Sequence, residues 1–146
     1  MKSSPITEKA DNNHDPVIST GPARSRDELE AAYKLAHKAY LRSNLIKGPP
    51  DAMRVTLLNA LPETVTFVGR VNHSVVSTIT LVPDTELGLP MEDVYGDKLD
   101  ELRREGRTLA EVTMFADRRR EHRRRIKVLI PLMKWIYDYA EFIEEV

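Results

Sequence analysis

Apolar residues recur along this chain with two periods, and each period predicts a different kind of element. In residues 29–40, Leu29, Ala32, Tyr33, Ala36 and Tyr40 return every three to four positions, with Glu30, Lys34, His37 and Lys38 between them. That spacing gathers the apolar set on one stripe of an α-helix and turns the polar set toward water. Ser25-Arg26-Asp27-Glu28 precedes the stripe as a capping box, in which the serine hydroxyl and Glu28 each take a free N–H of the first turn. Gly48-Pro49-Pro50 ends the segment. Residues 64–71 and 74–82 are instead rich in Val, Ile and Thr and flank Asn72-His73, a hairpin signature. Residues 17–20, closed by Gly21-Pro22, and residues 108–116 read as two further strands.

Three more helices complete the pattern. A short one is expected from Asp51 as cap through Met53, Leu57 and Leu58, stopped by Pro62. A surface helix over residues 92–105 carries Val94, Leu99 and Leu102 and ends at Gly106. The last, over residues 126–146, aligns Leu129, Leu132, Met133, Ile136, Tyr139, Ala140 and Ile143 on one face. Pro131 falls in its first turns and predicts a start near Leu129, because proline is tolerated at the first helical position. An antiparallel meander with helices before and after it is an α+β arrangement, not a doubly wound one.

Length and composition narrow the class. At 146 residues the chain is one domain, and residues 1–15, rich in Ser, Asn, Asp and Lys, form a loose tail ahead of a domain over residues 16–146. With 22 basic and 23 acidic residues the net charge is −1, so any basic site is local. The absence of cysteine removes disulfides, thiolate metal sites and thiol nucleophiles, and fits a reducing compartment. No apolar run reaches the roughly 18 residues needed to span a bilayer, and the first residues have no apolar signal-peptide core. A cytoplasmic location is expected. His14, His37, His73 and His122 have no ligand spacing, so no metal site is expected, and no phosphate-binding glycine loop or nucleophile elbow is present.

Two features carry possible chemistry. Arg118, Arg119, Arg120, Arg123, Arg124 and Arg125 put six arginines within eight residues, between an expected strand and the start of a helix. Free N–H groups, the helix dipole and bidentate guanidinium contacts make such a junction a site for a phosphate-bearing cofactor or an acidic partner; the alternative is a solvated charged loop. Nucleic acid is the weaker reading, since Asp117 and Glu121 dilute the patch and no aromatic residue interleaves with it. Glu111 is the second feature. Strict alternation puts Leu109, Glu111, Thr113 and Phe115 on one face of their strand, and Ala110, Val112, Met114 and Ala116 on the other. A carboxylate among apolar neighbours is raised in pKa toward that of a general base, unless it is paired, for instance with Arg107. Thr113 is placed to hydrogen-bond a substrate carbonyl, although threonine is also simply a good strand former.

Leu87-Gly88-Leu89-Pro90-Met91-Glu92-Asp93, Leu99-Asp100-Glu101-Leu102-Arg103 and Glu105-Gly106-Arg107-Thr108-Leu109-Ala110-Glu111-Val112 follow one another in an order that resembles the N-acyl amino acid synthase (FeeM-type) family. That family is related to the acyl-homoserine lactone synthases within the acetyltransferase-like (GNAT) superfamily, and the resemblance extends over about residues 15–145. It implies a GNAT mixed sheet with flanking helices, here ending after the helix that follows the fourth strand. It also implies transfer of a fatty acyl group to the amine of an amino acid. The donor would be the acyl-phosphopantetheine of acyl carrier protein, or acyl-CoA, with no permanently bound cofactor. Glu111 would orient or deprotonate the amine, with Thr113 beside it, and Arg118, Arg119, Arg120, Arg123, Arg124 and Arg125 would occupy the phosphate-binding turn. Met114 departs from the arginine or small polar residue usual in relatives, and the turn holds no glycine. The resemblance leaves two expectations for the missing wall of the donor site: a truncated or degenerate member, or a wall supplied by a second subunit, as in a homodimer. The competing expectation is a non-catalytic member that binds an acidic partner through its arginines.

Overall fold

The computed structural model describes residues 16–118 and 122–144. The elements are β1 (Ile18–Pro22), α1 (Arg26–Arg42), a single 3₁₀ turn (Leu57–Ala60), β2 (Val65–Val71), β3 (Ser74–Pro83), α2 (Glu92–Arg104), β4 (Ala110–Asp117) and α3 (His122–Glu144). The tail expected over residues 1–15 lies outside the described residues. The strands form one sheet in the order β1-β2-β3-β4, and every pairing is antiparallel. The α+β class therefore holds, with no parallel pairing among the described strands.

Local chemistry explains most of the boundaries. Asn72 (φ 48°) and His73 (φ 67°) both take the positive φ that a two-residue turn between right-twisted strands requires, which joins β2 to β3 directly. The Ser25 hydroxyl accepts the Glu28 N–H at 3.2 Å and starts α1. Only the serine half of the expected capping box forms, because the Glu28 carboxylate turns away from the Ser25 N–H. That carboxylate accepts the Arg24 N–H at 2.7 Å and binds the buried Arg70 of β2, which also donates to the Pro22 carbonyl at 2.9 Å. One ion pair thus pins the start of α1 to β1 and β2.

Three expectations need correction. The helix expected from Asp51 forms only its last turn, and Arg54 instead donates its backbone N–H to the Tyr33 carbonyl at 3.2 Å. A segment of about a dozen residues between two prolines is too short to offset helix nucleation. α3 begins at His122, seven residues ahead of Leu129, and runs through Pro131. Val128, Leu132 and Ile136, buried at four-residue spacing on both sides of the proline, hold the helix together across the missing hydrogen bond. His37 is buried rather than solvent-facing, and its Nε2–H donates to the Pro49 carbonyl at 2.8 Å, tying the loop after α1 back onto the helix.

The two long helices cover opposite faces of the sheet and opposite halves of it. α1 lays Ala32, Leu35 and Ala36 over Val68, Val75, Met114 and Ala116, so it sits mainly on β3 and β4. α3 lays Val128, Leu132 and Ile136 over Phe67, Ile79 and Leu81 and lies mainly above β1 and β2. Gly69 permits that close approach, because a Cβ there would stand 2.1 Å from Val128 Cγ1. This offset leaves the second face of β4 open.

Candidate functional site

β4 organises the site, and it does not alternate strictly. Thr113 lies opposite Thr80 and Ala116 opposite Thr78, so Met114 and Phe115 together face the single residue Ile79. Met114 takes φ 53°, an unusual conformation for a large side chain, and the extra residue makes a β-bulge. The bulge reverses the expected alternation. Glu111 and Thr113 share the α1 side with Met114 and Ala116, while Phe115 joins Val112 on the other face, where they are 46% and 45% exposed. Beyond β4 the sheet has no further strand among the described residues, so its outer edge presents unpaired main-chain groups to a ligand alongside.

Glu111 stands near the start of this strand, half-buried, and its Oε2 accepts the Met91 N–H at 2.8 Å. Met91 is the cap residue of α2, so this bond takes one of the free N–H groups at the helix start. Burial raises the Glu111 pKa above the ordinary carboxylate value, and the Met91 N–H opposes the rise. No cation pairs with it among the described residues. Arg107, the expected alternative partner, lies on the surface 3.9 Å from Glu105. Thr113 sits two residues on, facing the same side as Thr80, whose hydroxyl is 2.9 Å from that of Thr66.

The loop before α2 is built to hold Glu111 in place. Gly88 adopts φ 74°, where a Cβ would crowd the Glu92 carboxylate, and Leu89 is buried with Val82 and Leu99. Arg103 reaches back from the last turn of α2 to Asp84 (2.6 and 2.9 Å), Glu92 (2.7 and 2.8 Å) and Asp100 (2.8 Å). The guanidinium beside it holds the Glu92 carboxyl down at about 2.

The far end of β4 is open and basic. A cleft of about 470 Å³ lies there, between Tyr40 and Arg42 at the end of α1, Phe115, Ala116 and Asp117 of β4, and Leu129 of α3. A second groove, about 850 Å³, follows the outside of α1 past Lys34, Lys38 and Arg42 to Arg118. Arg118 is exposed and donates its backbone N–H to the Val76 carbonyl at 2.8 Å. Arg123, Arg124 and Arg125 fall in the first turn of α3, where the backbone alone is described, and Arg119 and Arg120 lie outside the described residues. The arginine run therefore spans the β4–α3 junction, at the opposite end of β4 from Glu111.

Sequence reading missed the bulge, whose positive φ leaves no mark in the residue pattern, and it assigned Lys34 and Lys38 only to water. The signal for the groove was present. Residues 31–50 hold Lys34, Lys38, Arg42 and Lys47 without a single carboxylate. Among the described residues no group of three His, Asp or Glu is placed to hold a metal ion, and no helix is long and apolar enough to cross a membrane.

Comparison with known proteins sets this geometry in a family. The fold matches that of FeeM, an N-acyl amino acid synthase from uncultured soil microbes, with a TM-score of 0.73 at 22% identity, covering 89% of this chain and 68% of that one. A search of curated proteins returns no match. The family described as N-acyl amino acid synthase FeeM matches residues 31–146. With that family model matching most of its length, the chain belongs to the FeeM N-acyl amino acid synthase family.

Proposed function

We propose that the protein moves a long-chain acyl group from the thioester of an acyl carrier protein to the amine of an amino acid, with Glu111 as general base. The observation that carries this reading is a half-buried carboxylate of raised pKa, free of any cation among the described residues, on a strand with an open edge. A group in that state accepts a proton near neutral pH more readily than an ordinary carboxylate does. The amine nitrogen attacks the thioester carbonyl carbon and its proton passes to Glu111. The C–S bond then breaks, the proton held by Glu111 passes to the leaving sulfur, which departs as a thiol, and an amide remains with the carboxylate restored.

The ends of β4 favour an elongated donor. Arg118 stands seven positions after Glu111, about 23 Å at the rise of an extended strand. A donor lying along the open edge places its phosphate among Arg118, Arg119, Arg120, Arg123, Arg124 and Arg125 and its carbonyl toward Glu111. Thr113 is then the side chain beside the reacting carbonyl. Phe115 and Leu129, both lining the cleft at the Arg118 end, then flank the pantetheine arm between phosphate and carbonyl.

The test is direct. Folded protein is incubated with palmitoyl acyl carrier protein or palmitoyl-CoA and a mixture of amino acids, and the products are read by mass spectrometry. An N-palmitoyl amino acid is expected, with an acid limb in the rate profile above the ordinary carboxylate range, because only the deprotonated Glu111 accepts the proton. No amide from either donor overturns the reading.

A further inference from the structure

We infer that the outward face of α1 is a docking site for an acidic, amphipathic helix of a partner protein. Lys34, Lys38 and Arg42 stand at i, i+4 and i+8, one row along the helix about 12 Å long. Arg118 continues the row from the end of β4. None of these four residues has an ion-pair partner among the described residues, whereas Glu28, Asp84, Glu92 and Asp100 elsewhere in the fold are all paired. Like charges at four-residue spacing repel one another, so the row works against the stability of α1, and an acidic occupant removes the conflict.

The chemistry of the groove selects the class of occupant. Leu35, Leu41 and Pro50 line the same groove as the cations, giving it an apolar floor. A helix that carries carboxylates at three- to four-residue spacing around one or two apolar side chains matches both the row and the floor. A phosphodiester backbone meets the cations but leaves the floor uncovered. The groove also adjoins the cleft beside β4, since Arg42 lines both. A partner seated on α1 is therefore next to the entrance of that cleft. This inference deepens the proposed reading and rests on it for the partner's cargo, because an acidic helical carrier docked here brings the phosphate end of its prosthetic arm to the cleft and leaves the arm to run along β4 toward Glu111.

Fluorescently labelled holo-acyl carrier protein is the probe, titrated with the full chain at low and at physiological ionic strength. Binding that weakens with salt is expected, falling at least about tenfold in the Lys34→Glu/Lys38→Glu variant and clearly in Leu41→Ser. The exposed control Lys98→Glu is expected to leave it unchanged, and circular dichroism of each variant establishes that it folds. The inference is overturned if the carrier does not bind, or if it binds equally well to the double variant. It is also overturned if duplex DNA, phosphatidylglycerol vesicles or a second copy of the chain occupies the face in the carrier's place. The two claims fail separately. Acylation from palmitoyl-CoA without carrier binding removes the docking site and leaves the chemistry, while carrier binding through Lys34 and Lys38 without amide formation does the reverse.

Discussion

The two ends of β4 treat charge in opposite ways. At the Glu111 end the acidic groups around it are occupied: Arg103 binds Asp84, Glu92 and Asp100 at once, and Glu111 takes the Met91 N–H. At the Arg118 end Lys34, Lys38, Arg42 and Arg118 line a groove whose own lining holds no carboxylate, and none of the four has an ion-pair partner among the described residues. Satisfied charge builds a rigid frame and fixes a side chain to a fraction of its rotamers. Unsatisfied charge does nothing for the fold and is available to a ligand. α1 shows the same contrast within one helix, with Glu28 locked to Arg70 in the first turn and the open cations further along.

The largest expected effect tests the paired end as the place of chemistry. Glu111→Gln keeps a side-chain oxygen for the Met91 N–H but cannot take a proton, so α2 stays in place while the base is lost. Turnover in the acylation assay should fall by about 10²- to 10⁴-fold with an unchanged thermal midpoint. A variant that retains most of its rate would move the catalytic role away from this end of β4.

Arg70→Ala should give the next largest effect, this time on stability. It strips the counter-charge from Glu28, which is largely covered, and frees the Pro22 carbonyl. Breaking such a pair costs about 3 kcal/mol, read as a lowered urea midpoint. The Arg70 guanidinium holds the Glu28 carboxyl well down, from 4.5 to about 2. A depressed carboxyl contributes stability that is fully present above its unfolded value and is lost as pH falls through the folded one. The wild type should therefore lose stability as pH drops from about 4.5 toward 2, and Glu92, also held at about 2 by Arg103, should add to the same window. Urea midpoints across that range should show a shallower acid slope in Arg70→Ala and in Arg103→Met than in the wild type.

How much of this was legible in the sequence follows the same division. Elements set by local rules were readable: the Ser25 cap, the Asn72-His73 turn and the order of strands and helices all follow from neighbouring residues. Glu111 was readable as a carboxylate in an apolar strand. Its tether was not, because Met91 lies twenty residues away and only the fold brings its N–H into range. Pro131 misled because a local preference was weighed without the packing of Val128 and Leu132 on both sides of it. The bulge at Met114 depends on the register between β3 and β4, a nonlocal property that reversed the faces of Met114 and Phe115.

The smallest expected effect is the most specific to the open end. Lys38 stands four residues after Lys34 and four before Arg42, so it bears two like-charge repulsions. Lysine and glutamine have nearly equal helix propensity, and Lys38 is exposed without an ion-pair partner among the described residues. Replacing an exposed, unpaired residue ordinarily changes stability by less than about 0.5 kcal/mol in either direction. Lys38→Gln should instead stabilise the protein by about 0.5 kcal/mol at low ionic strength, the sum of two repulsions of about 0.2–0.5 kcal/mol each. At about 1 M salt the screening length falls to about 3 Å and the gain should vanish. Chemical denaturation with urea, which adds no charge of its own, measures the difference in both conditions. A loss of stability on neutralising Lys38 would mean that this cation is already satisfied by the fold, and the contrast between the two ends of β4 would break there.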